Sequence, residues 1–166
     1  ENNIGVKIKS PVELMVGIHK IVPSVFRKQR QVTYLQKMMG QILLYPVNVS
    51  GWKGDRYWID SNSLMFRLKL PSVLLNNAKI SLNSKGEFED DFSDFYNQKN
   101  QNFKVSDQAR TYFETHYSKI TKKELKAVLV LPKLDQDTKE MIKIYQNQNA
   151  YQYCIQLMSV PEYQLC

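Results

Sequence analysis

The sequence predicts a mainly α-helical protein, an irregular bundle of about six or seven helices with one loop rich in Trp and Gly. Three observations lead to this prediction: helix-start signals recur along the chain, apolar residues follow them at helical spacing, and prolines end or interrupt the resulting segments. The 166 residues are 43% hydrophobic and 23% charged, a composition typical of a globular protein with a substantial core. We therefore expect one compact helical region over residues 1–166.

The first helix is predicted to start after Ser10. Ser10 suits the N-cap, Pro11 suits the first helical position, and Glu13 completes a Ser-x-x-Glu capping box. The helix should end at Pro23, because proline cannot continue a helix. Its apolar face is expected to comprise Val12, Met15, Val16, Ile18 and Ile21.

Two further helices are predicted in the first half of the chain. One runs from about Gln31 to Leu43. The other is capped by Asp60 or Ser61, and Pro71 kinks or restarts it. The apolar stripe of the second helix is Leu35, Met38, Met39, Ile42 and Leu43, and the inward residues of the third are Leu64, Met65, Leu68 and Leu70.

The loop between these two helices holds both tryptophans of the chain, Trp52 and Trp58. Exposing such rings to water is costly, so the loop is not a plain solvated linker. One interpretation is a platform on which the rings bind a sugar or another flat ligand. Polar side chains of the same loop would supply the hydrogen bonds of this platform: Asn48, Asp55 and Arg56.

The interpretation that the sequence favours is structural packing. The two tryptophans would fill the space between helices. Gly51 and Gly54 would then allow tight turns after Pro46, and Asn48 would satisfy backbone amides of the loop.

Arg67 supports the packing interpretation, because it lies on the third helix among apolar neighbours. A buried arginine needs an acceptor. Asp55 and Asp60 are the expected partners, so Arg67 would pin the loop through a carboxylate. The same two acids also leave a glycosidase-type pair open, since spacing alone does not give their separation.

The rest of the chain divides into a hairpin and linker, residues 79–104, and C-terminal helices, residues 105–166, after the motif-bearing helices and loop of residues 10–78. A turn signal at Asn83–Gly86 predicts a small hairpin near residues 80–90. Helix starts are expected at Asp107, at a capping box of Thr121 and Glu124, and at Asp135. The last long helix carries Ala150, Tyr153, Cys154, Leu157 and Met158.

No sequence motif predicts catalysis, a cofactor or a metal. Glycine-rich nucleotide loops and the Gly-x-Ser-x-Gly elbow are absent. Cys154 and Cys166 form no Cys-x-x-Cys pair, so a zinc site is not expected, and their pairing in a disulfide stays open. The acids of residues 87–94 lack the regular order of a calcium loop. No apolar run of about 18 residues predicts a transmembrane segment.

The formal net charge of +7 is the one global feature that bears on partners. A basic surface attracts nucleic acid, anionic lipid or acidic glycan. No dense stripe of Lys and Arg appears, however, so lysines scattered for solubility are the favoured explanation.

Several motifs occur in a fixed order along the chain. They are Lys9-Ser10-Pro11-Val12-Glu13, Met39-Gly40-Gln41, Pro46-Val47-Asn48-Val49-Ser50-Gly51-Trp52, Trp58-Ile59, Arg67 and the ending Ser159-Val160-Pro161-Glu162-Tyr163-Gln164. In this order they resemble the C-terminal part of the bacterial domain-of-unknown-function family 1800, over about residues 7–75 and 155–166. Val47 departs from the resemblance, because the family usually has a second proline there. The motif residues carried over are Pro46, Asn48, Gly51, Trp52, Gly54, Trp58 and Arg67.

The resemblance implies a mostly helical exported protein several hundred residues long, with this chain as its C-terminal fragment, and it implies no activity. We expect a non-catalytic interaction or scaffolding module, periplasmic or at the cell surface, whose partner is the remainder of its own parent chain. One alternative function is an envelope enzyme or glycan-binding module that uses the Trp52–Asp60 loop. The second alternative is polyanion or nucleic-acid binding through a basic surface, which the sequence favours less. The alternative partners are a glycan or another envelope protein.

Overall fold

The computed structural model describes residues 5–23, 29–76 and 108–166. Within these ranges the chain forms seven α-helices, three short 3₁₀ helices and no β-sheet, which confirms the predicted all-helical class. The α-helices are α1 (Pro11–Ile21), α2 (Gln29–Met38), α3 (Ser61–Leu75), α4 (Gln108–His116), α5 (Lys122–Leu129), α6 (Gln136–Ile144) and α7 (Ala150–Met158). The 3₁₀ helices are Asp55–Trp58, Tyr145–Asn147 and Pro161–Gln164. The predicted hairpin at 80–90, the acids at 87–94 and the cap at Asp107 lie outside the described residues.

Local capping signals place the starts of the helices. Ser10 accepts a hydrogen bond from the backbone N–H of Glu13, whose carboxylate accepts one from the Ser10 N–H in return. Thr121 and Glu124 form the same reciprocal box at α5. Each box satisfies two amides that a helix start leaves without partners. Both predicted boxes are confirmed.

The end of α2 differs from the sequence prediction, which continued the helix to Leu43. The helix ends at Met38, and Gly40 follows with a φ of +84°, a conformation that favours glycine. The Leu43 N–H then bonds to the side chain of Gln36 at 3.0 Å. Apolar residues after Gly40 kept the helical spacing, but the turn at Gly40 takes them out of the helix.

Helix α3 is continuous through Pro71, so the predicted kink does not divide it. Asp60 caps it by accepting hydrogen bonds from the N–H groups of Asn62 and Ser63. Pro71 has no N–H, so the carbonyl of Arg67 one turn earlier loses its helical donor. The proline ring is buried, and packing holds this turn in place.

Helix α7 lies at the centre of the bundle and packs against α3, α4 and α5. Its residues Cys154, Leu157 and Met158 are fully buried. The Tyr151 hydroxyl donates to the carbonyl of Leu75 at 2.6 Å, which ties α7 to the end of α3. The core thus forms around the C-terminal helix.

Some residues that the sequence placed inward are exposed. Apolar spacing identifies an amphipathic helix better than the exact direction of its inner face. In α1 the predicted inward residues Met15 and Ile18 are buried, but so is Leu14, and in α3 the buried positions include Phe66 and Arg67. The residues that were predicted to face inward and are exposed are Val16, Leu43 and Met65.

None of the described helices is both long enough and apolar enough to cross a membrane.

Candidate functional site

Arg67 is the most unusual side chain of the described core, because it is charged and has no solvent exposure. Its Nε donates to the side-chain oxygen of Gln164 at 3.0 Å, and its Nη2 donates to the carbonyl of Lys9 at 2.5 Å. Gln164 is 97 residues away along the chain. Arg67 therefore links α3 to segments near both ends of the sequence.

Those two segments pair with each other. The N–H groups of Gly5 and Lys7 donate to the carbonyl of Cys166, and the Cys166 N–H donates to the carbonyl of Lys7 at 2.9 Å. The Lys9 N–H donates to the Gln164 carbonyl at 2.8 Å. We call residues 5–9, Arg67 and residues 162–166 the terminal clasp.

The prediction that Asp55 or Asp60 pairs with Arg67 is wrong. Among the described residues Arg67 has no ion pair, and its Nη1 has no acceptor. Asp55 instead accepts from the Ile8 N–H at 3.2 Å, and Asp60 caps α3. Neither carboxylate pairs with the arginine, and each instead accepts from backbone amides.

Lys9 places a second positive charge in the terminal clasp. Its Nζ donates to the carbonyl of Tyr163 at 2.6 Å and lies 4.0 Å from the centre of the Tyr163 ring. Burial lowers the pKa of Lys9, and burial lowers the pKa of Arg67 to about 10.

The ending Pro161-Glu162-Tyr163-Gln164 joins three parts of the molecule. The buried carboxylate of Glu162 accepts from the N–H of Asp135 at 3.2 Å and from the Thr138 hydroxyl at 3.3 Å. Tyr163 packs so close to Gly17 of α1 that a Cβ there would lie 3.3 Å from the Tyr163 hydroxyl oxygen. The motif thus fastens the start of α6, α1 and α3 to one short 3₁₀ helix.

The two tryptophans of the loop do not form an exposed pair of rings. Trp58 is buried with 8% exposure, and Trp52 is half-buried, with its Nε1 enclosed and without a hydrogen-bond partner in the described structure. A flat ligand needs accessible ring faces to stack on, so a platform made of both rings is not present.

The polar loop residues mostly bond to nearby backbone. The side chain of Asn48 accepts from the Ser50 N–H at 2.9 Å, and the Asn48 carbonyl accepts from the Gly51 N–H at 3.0 Å. Gly51 has a φ of +81°, which favours glycine, whereas Gly54 is extended and has no such requirement. The side chain of Arg56 is exposed and makes no hydrogen bond within the described residues, although its carbonyl accepts from the Ile59 N–H at 3.1 Å.

The outward face of the loop is apolar, which the sequence reasoning missed. We call this set of side chains the loop surface; each is more than half exposed: Leu43, Leu44, Tyr45, Val47, Val49 and Tyr57. Val49 has a relative exposure of 107%, so its side chain projects fully from the molecule. The sequence feature that indicates this face is the run of apolar residues on both sides of Pro46.

The described residues bring together no group that resembles a catalytic or metal centre. No cluster of three His, Cys, Asp or Glu side chains suited to a metal occurs in ranges 5–23, 29–76 and 108–166. Cys154 and Cys166 are free thiols, one buried and one exposed. Burial raises the pKa of Cys154 to about 12, which keeps it in the unreactive thiol form.

Comparison with curated proteins and with solved structures gives no significant match. The model of one protein family, described as "Protein of unknown function (DUF1800)", matches residues 1–165. This span includes the loop, every described helix and all of the terminal clasp except Cys166. The chain therefore belongs to the DUF1800 family.

Proposed function

We propose that this chain is a non-catalytic interaction module of a larger exported bacterial protein, and that the loop surface is its docking face. The observation that supports this proposal most is the exposure of the apolar side chains of the loop surface. Six large apolar side chains lie outward within one segment of 15 residues, Leu43–Tyr57. Proteins rarely leave so many neighbouring apolar groups in water unless a partner covers them.

The proposed partner is the remainder of the parent chain. Charge supports a protein surface over a polyanion. Lys53 and Arg56 in the loop are matched by Asp55 and Asp60, although the whole chain carries +7. Polyanions are recognised through an excess of Lys and Arg, whereas an apolar, charge-balanced face suits an apolar protein surface.

The polar residues of the loop support the same proposal. The side chains of Asp55, Asp60 and Asn48 accept hydrogen bonds from backbone amides of this chain and so hold the loop in one shape. A loop that is already fixed loses little conformational entropy when it docks. The residues that the sequence offered as ligand contacts are thus assigned to presenting the surface.

An envelope enzyme or glycan-binding module has less support. Trp58 is buried, and Tyr45 and Tyr57 are the exposed rings of the loop surface. Asp55 and Asp60 each accept from backbone amides of this chain, which favours an anchoring role over that of a glycosidase pair. Nucleic-acid binding stays a prediction of the overall charge.

Hydrogen exchange tests the proposal. Amide exchange is measured over residues 43–57 in the isolated chain and in the parent protein. We expect the loop amides to exchange at least about tenfold more slowly in the parent protein, because docking excludes water. The Leu131–Leu134 connection, which also exposes a large apolar side chain, is the matched control and should be unchanged. Equal exchange of residues 43–57 in both proteins would overturn the proposal.

A further inference from the structure

The buried charge of Arg67 is not neutralised within the described structure. Its two acceptors, the Gln164 side chain and the Lys9 carbonyl, are neutral oxygens. Moving a guanidinium out of water costs several kcal/mol, and neutral acceptors return only part of this. A negative group beside Arg67 would remove much of the remaining cost.

Two buried donors of the terminal clasp also have no acceptor among the residues that the structure describes. They are Nη1 of Arg67 and Nε2 of Gln164, which belong to side chains already hydrogen-bonded to each other. Native proteins contain few such groups, and a water or an ion usually accounts for them. Because both free atoms are donors, the partner that fits is one that accepts.

The charges around Arg67 are of both signs, but no carboxylate pairs with it in the described structure. The Lys9 ammonium bonds to the Tyr163 carbonyl, and burial lowers its pKa, although Cys166 and Glu13 act to raise it. The nearby acids are engaged elsewhere: Glu13 pairs with Lys7 at 2.6 Å, Asp55 accepts from the Ile8 N–H, and the buried Glu162 accepts from the Asp135 N–H. A buried guanidinium that has a free donor and no carboxylate partner selects for an anion.

We propose that the donors of Arg67 and Gln164 form a binding site for a small oxygen anion, either a carboxylate or a phosphate group. The oxygen accepts from Nη1 of Arg67, and its charge offsets the guanidinium. Residues 5–9 include the carbonyl that accepts from Arg67 and are joined to residues 164–166 by four backbone hydrogen bonds. Opening of this short pairing gives the anion its route to the site.

The test is thermal unfolding of the isolated chain at constant ionic strength, with sodium chloride replaced by millimolar sodium phosphate or sodium acetate. An anion that binds only the folded state raises Tm along a saturating curve, by about 5 °C at roughly 100 times Kd. The anion whose curve of Tm against concentration reaches half its maximum at the lower concentration is the favoured group. No difference from chloride would mean that water alone accounts for the free donors, and would overturn the proposal.

Variants separate a site from a general effect of salt. Gln164→Glu supplies a carboxylate beside Arg67, so we expect a higher Tm without anion and no response to phosphate or acetate. Arg67→Met keeps much of the buried volume and should abolish the response. Lys143→Met, which removes one exposed charge on α6, is the control and should respond like the wild type. An unchanged response in Gln164→Glu or Arg67→Met, or a lost response in Lys143→Met, would contradict the site.

Discussion

The terminal clasp and the loop surface contain motifs of the same family but are built in opposite ways. In the clasp, the polar groups of Arg67 and Gln164 point inward and bond to partners far away in sequence. In the loop, Leu44 and Val49 point outward and are almost entirely exposed. The polar motif residues therefore hold the molecule together, whereas the apolar residues between them form its outer face.

Asp55 connects the two regions. It lies in the loop and accepts a hydrogen bond from the Ile8 N–H of the terminal clasp. The Val12 N–H of α1 similarly donates to the side chain of Gln41, at the start of the loop, at 3.1 Å. The loop is therefore anchored to the part of the molecule that the clasp fixes, which lets a stable scaffold hold an exposed apolar segment in place.

The largest effect is expected from Arg67→Ala. Truncation leaves a cavity and removes the donors of the Gln164 oxygen and the Lys9 carbonyl, so we expect a loss of about 3–5 kcal/mol in the free energy of unfolding by urea denaturation. Arg110→Ala removes an exposed arginine paired with Glu114 and should cost at most about 0.5 kcal/mol. Similar losses in the two variants would show that the clasp does not stabilise the fold.

An intermediate effect is expected from Asp60→Ala at the boundary between loop and helix. Asp60 caps α3 through the N–H groups of Asn62 and Ser63, and loss of such a cap costs about 1 kcal/mol. Arg56→Ala removes a side chain of the same loop that makes no hydrogen bond in the described structure, so it should change stability by less than about 0.5 kcal/mol. Chemical denaturation of both variants measures the difference, and a reversed order would refute these roles.

A smaller effect on stability is expected when the pH is lowered, through Glu13 beside the terminal clasp. The Lys7 ammonium, followed by the Ser10 N–H, holds the pKa of the Glu13 carboxyl below its usual value. A lowered folded-state pKa gives stability that is present above the unfolded pKa of about 4.3 and is lost as pH falls through the folded pKa. Glu13→Gln should therefore lose less stability than the wild type below about pH 4.3. Parallel pH profiles of the two proteins would contradict this.

Local features of the fold could be predicted from the sequence. Ser10, Asp60 and Thr121 were identified as caps because capping depends on residues only three positions apart. The end of α2 was misplaced because apolar spacing continued past Gly40. The positive φ of Gly40 ends the helix five residues before the predicted end at Leu43, although the apolar spacing continues.

Long-range features could not be predicted in the same way. The sequence indicated that Arg67 needs an acceptor, but nearby acids were the natural candidates and the acceptor is Gln164. Likewise, the aromatic content of the loop was evident, yet which side chains face outward depends on how the loop is anchored to α1 and α2. Both errors concern contacts between segments, which local spacing does not encode.

The most direct test of the docking face compares the double variant Leu44→Asn, Val49→Asn in two proteins. In the isolated chain both side chains are exposed, so the free energy of unfolding should change by less than about 0.5 kcal/mol. In the parent protein, where the loop surface would be covered, we expect a loss of about 2–4 kcal/mol. The control double variant Val128→Asn, Ile144→Asn changes exposed sites on α5 and α6. Its effect on the free energy of unfolding should be small both in the isolated chain and in the parent protein. An equally small change for the loop variant in the parent protein would contradict the account.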